Sequence, residues 1–206
     1  LYKPKSFKIE KQKNFSLKFF FNIFFIKFLI SVPYKLFYNI LINKKYSINI
    51  KKKFLRCKNN YSRWYSTKKS VELMNNYCNK KRIRYDLVLL TRFDVAFLTP
   101  FKFNKIDKKK ITVPNHNDVP SPRNNYKGKF SKTNKTFKKG ISDFWFLSNP
   151  ENIIKFSKLY DRLGHYLMSS HMSSLQHVRY LGINLNFFRF RGKDHEAIRR
   201  LNRSEE

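Results

Sequence analysis

Apolar residues in this chain come in runs separated by lysine- and asparagine-rich stretches. The first run, residues 19–32, reads FFFNIFFIKFLISV and ends at Pro33. A transmembrane helix needs about 20 consecutive apolar residues. This run has 14, interrupted by Asn22 and Lys27, and a lysine in mid-span is costly in hydrocarbon. A poor signal-anchor, an interfacial helix and a buried core helix all compete here. The neighbouring lysines favour an interfacial helix over residues 15–42, lying on an anionic membrane surface. No small-x-small cleavage site follows the run. Residues 1–14 are basic and polar, and residues 43–60 read as a lysine- and asparagine-rich linker.

Over residues 62–80 the spacing turns helical. Trp64, Val71, Met74 and Cys78 recur near a 3.6-residue period, flanked by Tyr65, Leu73 and Tyr77. Ser66 or Thr67 is suited to cap the N-terminus. Residues 85–98 then read YDLVLLTRFDVAFL. The continuous run Leu87-Val88-Leu89-Leu90 predicts a strand buried on both faces, as in the middle of a mostly parallel sheet. Residues 102–139 predict a long loop region around a short strand at 111–113. Residues 141–147 predict another strand. Asn149-Pro150-Glu151 is a strong helix start: an N-cap, a proline at the first helical position and an acid favoured by the dipole. That helix is predicted to reach about Met168, with Ile153, Phe156, Tyr160, Leu163 and Leu167 on one face. A helix at 171–181 and a strand at 183–191 follow, then a polar tail at 193–206 that takes in Asp194-His195-Glu196.

The class is therefore α/β, with one domain at residues 61–192 behind an irregular basic segment at 1–60. The apolar content, 41% with 22 Phe, is enough for a core and excludes wholesale disorder. The formal charge of +32 is the dominant compositional feature. Clustered cations bind nucleic acid by releasing counterions. Against that reading, Lys outnumbers Arg 32 to 13 and Asn reaches 21, the signature of AT-rich coding rather than of a phosphate-reading surface. Such charge still attracts acidic lipids and sugar nucleotides. Cys57 and Cys78 form neither a metal pattern nor a disulfide framework, which fits a reducing, cytoplasmic setting.

The chemistry concentrates where the apolar strand ends. Ligands of open α/β sheets sit beyond the carboxyl ends of strands. Arg92 and Asp94 stand at such an end. A carboxylate there can hold a divalent metal, and an arginine can pair with phosphate. The plain alternative is an ion pair that closes the strand. Asp86, at the strand's start, reads as structural. Trp145 either stacks on a sugar ring or fills the core. His165, His171 and His177, six apart, do not share a helix face and do not make a zinc pattern.

The stretches YSRWYSTKKSVELMNNY (residues 61–77) and YDLVLLTRFDVAF (residues 85–97) carry a further signal. A helix after S-x-x-Y-S precedes Y-D-x-V-x-x-x-R-x-D. With Gly140-Ile141-Ser142-Asp143-Phe144 and the helix after Pro150, this resembles glycosyltransferase-like proteins of lipopolysaccharide and capsular polysaccharide biosynthesis. The resemblance covers roughly 130 residues. It implies a GT-A-like fold, a nucleotide-sugar donor, and Mn²⁺ or Mg²⁺ held at Asp94. It places Arg92 beside the donor, Asp143 on the acceptor side as catalytic base or positioning group, and Trp145 against the acceptor. The acceptor would be a glycan or a lipid-linked glycan. Residues 1–60 do not match the Rossmann-like half that such relatives carry, and residues 171–177 lack their late glutamate. The expected activity is hexosyl transfer by a protein at the cytoplasmic membrane surface. A basic nucleic-acid binder and a truncated relative without catalysis are the alternatives.

Overall fold

The computed structural model describes residues 13, 15, 44–115, 140–167, 169–190 and 194–198. The apolar run at 19–32, and with it the expected membrane contact, lies outside them, as does the basic stretch at 116–139. Among the described residues no helix is long and apolar enough to cross a membrane. The chain divides into two compact units, Leu1–Arg84 with Ile154–Ser173, and Tyr85–Ile153 with Ser174–Glu206.

The first unit is built on α1 (Lys44–Lys81), a helix of 38 residues. Of the linker expected at 43–60, residues 44–60 are thus helical. Its apolar positions are too sparse to announce a face, and lysine is a good helix former. Cys57, Asn60, Tyr61, Trp64 and Val71 are buried, at the three- and four-residue spacings of one helical stripe. Ser66 and Thr67 lie inside the helix rather than at its cap. Ser66 Oγ donates back to the Ser62 carbonyl at 3.0 Å, the local bond a mid-helix serine makes. Trp64 is fully buried. Its indole donates to Asn60 Oδ1 at 2.8 Å, and its ring meets Phe156 edge-on at 5.5 Å. Tyr160 packs against Tyr61 at 6.3 Å and Tyr65 at 5.4 Å.

The helix expected to run from Pro150 to Met168 is broken. It forms α2 (Pro150–Ser157) and α3 (Leu159–Arg162), then a 3₁₀ turn at Leu163–His165. Ser157 Oγ donates to the Ile154 carbonyl, and the Lys158 N–H bonds the Lys155 carbonyl in a tighter i→i+3 step. The start of α2 follows the sequence expectation: the Asn152 N–H donates to Asn149 Oδ1 at 2.8 Å. Ile153, Phe156, Leu159 and Leu163 are buried, whereas Leu167 is exposed.

The second unit holds β1 (Val88–Thr91), β2 (Val95–Phe97), β3 (Ile111–Asn115), β4 (Trp145–Ser148), β5 (Leu185–Phe190) and β6 (His195–Ala197). Helix α4 (Ser170–Tyr180) precedes β5. The fold is α/β, helices with a mixed sheet. The four-stranded sheet has the order β1-β4-β3-β5. β1 and β3 each pair antiparallel with β4, and only β3 and β5 run parallel. The mostly parallel sheet expected from Leu87–Leu90 is therefore not what forms. β1 is an edge strand: Val88 is buried, Leu89 and Leu90 are half-buried and Thr91 is exposed. An apolar run marks burial but does not tell a central strand from an edge. Val95, Ile106, Phe144, Trp145, Leu147 and Ala197 form the core, with Leu89, Phe97, Phe101 and Phe188 packed against it.

Residues 195–197, expected in a solvated tail, are instead β6, paired antiparallel with β2. His195 and Glu196 are buried. The Leu98 N–H donates to the Asp194 carbonyl and the Ile198 N–H to the Asp94 carbonyl, each at 2.9 Å. Backbone pairing with β2 removes the short segment from water despite its charged composition.

Candidate functional site

β1 ends at Thr91 and β2 begins at Val95, so Arg92, Phe93 and Asp94 make the turn between them. The Arg92 N–H donates to the Phe144 carbonyl at 3.2 Å. This bond extends the β1–β4 pairing, in which Thr91 faces Trp145. Asp143 stands just before β4, and β4 is antiparallel to β1. The carboxyl end of β1 and the entry to β4 therefore coincide. Gly140 takes a positive φ of 89° at the start of this approach, a conformation open to glycine.

Arg92 joins the predicted residues. Its Nε donates to Asp94 Oδ1 at 2.7 Å and its Nη2 donates to Asp94 Oδ2. Its Nη1 lies 3.8 Å from Asp143 Oδ1, an ion pair longer than a hydrogen bond. The guanidinium carbon sits 5.4 Å from the centre of the Phe144 ring, within cation–π range. The side chains of Arg92, Asp94 and Asp143 are 24%, 35% and 9% exposed. One guanidinium thus faces two carboxylates, and the trio carries a net charge of −1 when all are ionised. The hydrogen bond to Asp94 raises the Arg92 pKa above its ordinary value; burial opposes this, and the charges of Asp143 and Asp94 add to it. Arg92 stays cationic wherever the protein is folded.

Three of the four predicted site residues therefore meet. Trp145, expected to stack on an acceptor, does not join them. It is fully buried, with Phe97, Phe101 and His195 around its ring at 6.4, 5.5 and 5.9 Å. β4 is buried along its whole length, which takes Trp145 into the core. Asp86 is exposed and pairs with Lys108 at 3.3 Å. His177 is buried and stacks on Tyr180 at 6.1 Å.

Two neighbours were not foreseen. Phe93 is fully solvent-exposed, at 105%. Its neighbours on both sides are pinned to each other, which leaves the ring outside the turn. The alternation of charged, aromatic and charged residues was its signal in the sequence. His195 lies edge-on to Phe144 at 5.7 Å, so it backs the ring on which Arg92 rests. Nothing in its local pattern announced that contact, which depends on β2 pairing with β6.

The resemblance assigns a divalent metal to Asp94. The residues in place do not fit that assignment. Both Asp94 oxygens accept hydrogen bonds from Arg92, so a metal there would meet a cation already in place. Among the described residues no group of three His, Cys, Asp or Glu side chains is placed to hold a metal ion. Comparison with protein-family models, with curated proteins and with solved structures finds no match for this chain.

Proposed function

We propose that the chain transfers a sugar from a nucleotide-sugar donor to a hydroxyl of a glycan or lipid-linked acceptor, on a GT-A-like scaffold. The observation that carries this reading is Arg92 set between Asp94 and Asp143 at the carboxyl end of β1. In the transfer, the bond between the anomeric carbon and the diphosphate oxygen breaks, and its electron pair leaves with the diphosphate. A bond forms from the acceptor oxygen to that carbon, and the hydroxyl proton passes to the Asp143 carboxylate. Arg92 neutralises the charge that grows on the leaving diphosphate. Asp94 holds Arg92 in place through a two-point contact, the geometry that suits a guanidinium and a carboxylate. A net charge of +32 draws the protein towards anionic lipid, where a lipid-linked acceptor resides.

The same charge favours a second reading, a nucleic-acid binder. A panel of nucleotide sugars, screened by thermal shift at moderate salt, separates the two. One donor is expected to raise the melting temperature of the wild type and not that of Arg92→Gln. No shift with any donor, alongside tight and salt-sensitive binding of nucleic acid, sinks the transferase reading.

A further inference from the structure

We infer that Arg92 itself supplies the positive charge for the donor's diphosphate, so that this site binds a diphosphate without a divalent metal. This rests on the transferase reading and replaces the expected Mn²⁺ or Mg²⁺. A metal on Asp94 would compete with two charge-assisted hydrogen bonds for the same carboxylate and sit beside a guanidinium of like charge. The second carboxylate offers no easier seat. Asp143 is 9% exposed and faces the same guanidinium at 3.8 Å.

The guanidinium is held in place for an anion: the trio's own net charge of −1 opposes one, and the chain's +32 draws it in. Nε and Nη2 are anchored on Asp94 and the carbon lies over Phe144. Phe144 is held in turn by His195. Nη1 keeps its hydrogen-bonding capacity, because Asp143 is beyond hydrogen-bond distance from it. The side chain is 24% exposed, so a ligand can reach it. A planar fork fixed in advance loses little freedom when it pairs with phosphate. Asp94 is a positioning residue in this arrangement rather than a ligand.

The test is isothermal titration of the full chain with a nucleoside diphosphate and with inorganic pyrophosphate, in EDTA and in excess Mn²⁺. The affinity is expected to agree within about twofold between the two conditions. Arg92→Gln is expected to weaken binding about tenfold or more, the loss of a hydrogen bond to a charged group. Arg92→Lys keeps the charge but not the fork, and is expected to fall between. Circular dichroism checks that the variants fold, and the wild-type comparison needs no variant. Binding that appears only with Mn²⁺ overturns the inference and leaves the transferase reading standing. Arg92→Gln binding as tightly as the wild type also overturns it, since the anion then sits on other cations. No binding of either probe in either condition overturns the inference and the transferase reading together.

Discussion

Helix α1 ends on a residue in an unfavourable backbone conformation, and replacing that residue tests the local reading of the fold. Arg82 has a φ of +55°. The Ile83 N–H bonds the Cys78 carbonyl at 3.0 Å and the Arg82 N–H bonds the Asn79 carbonyl at 3.3 Å. This is the two-bond Schellman ending, which glycine usually fills. Helix α4 ends the same way, with Ile183 bonded to Val178 and Gly182 to Arg179. There the left-handed position is Gly182, with a φ of +65°. A side chain in this conformation costs about 1–2 kcal/mol. Glycine forfeits about 0.5–1 kcal/mol of that through the entropy of the unfolded chain. Arg82 also places a positive charge by the helix carbonyls, where an exposed cation contributes about 0.3 kcal/mol or more. The clean comparison is therefore Arg82→Gly against Arg82→Ala, which both lose the charge. Glycine is expected to be the more stable by about 1 kcal/mol. Gly182→Ala is expected to lose a similar amount; a Cβ there meets nothing within 4 Å, so the loss comes from the backbone alone. Urea unfolding followed by circular dichroism, with an unchanged slope, reads both differences. Equal stability of the two Arg82 variants, or a neutral Gly182→Ala, refutes the reasoning.

Asn149→Ala removes the side-chain bond to the Asn152 N–H and is expected to cost about 1 kcal/mol in the same unfolding assay. Asn60→Ala removes the buried acceptor of the Trp64 indole; a loss of about 1–3 kcal/mol is expected, and no loss would mean that water serves the indole equally well. Burial pushes the Cys57 thiol up to about 11. Below the unfolded thiol pKa both states carry a neutral thiol and the burial has no effect; as pH rises from about 9 towards 11 the unfolded chain ionises first, and the fold loses stability. The wild type should accordingly lose stability relative to Cys57→Ala over that window, and Cys57 should resist alkylation at neutral pH while Cys78, half-buried, reacts first. Phe93→Ser is expected to change stability by less than about 0.5 kcal/mol, because the ring is wholly in solvent; a larger drop in thermal unfolding would mean that Phe93 packs against something.

The sequence was sufficient wherever the chemistry is local. Asn149, Pro150 and Glu151 start α2 because a cap, a fixed φ and the helix dipole act within one turn. Arg92, Asp94 and Asp143 were legible because charged groups directly follow or precede apolar strands, and polar groups cannot continue into a core. Their meeting on one guanidinium was not legible, since it needs β1 and β4 to pair antiparallel in one register. Tertiary structure likewise placed β1 at the sheet edge, where the run Leu87–Leu90 suggested the centre. It buried Trp145 rather than offering it to a ligand, because β4 lies between β1 and β3 and is buried along its whole length. It drew His195 and Glu196 out of a polar tail into β6, because hydrogen bonds to β2 outweigh local composition. It also set Arg92 on both oxygens of Asp94. Residue spacing proposes a metal ligand there, but only the folded turn shows which cation is within reach.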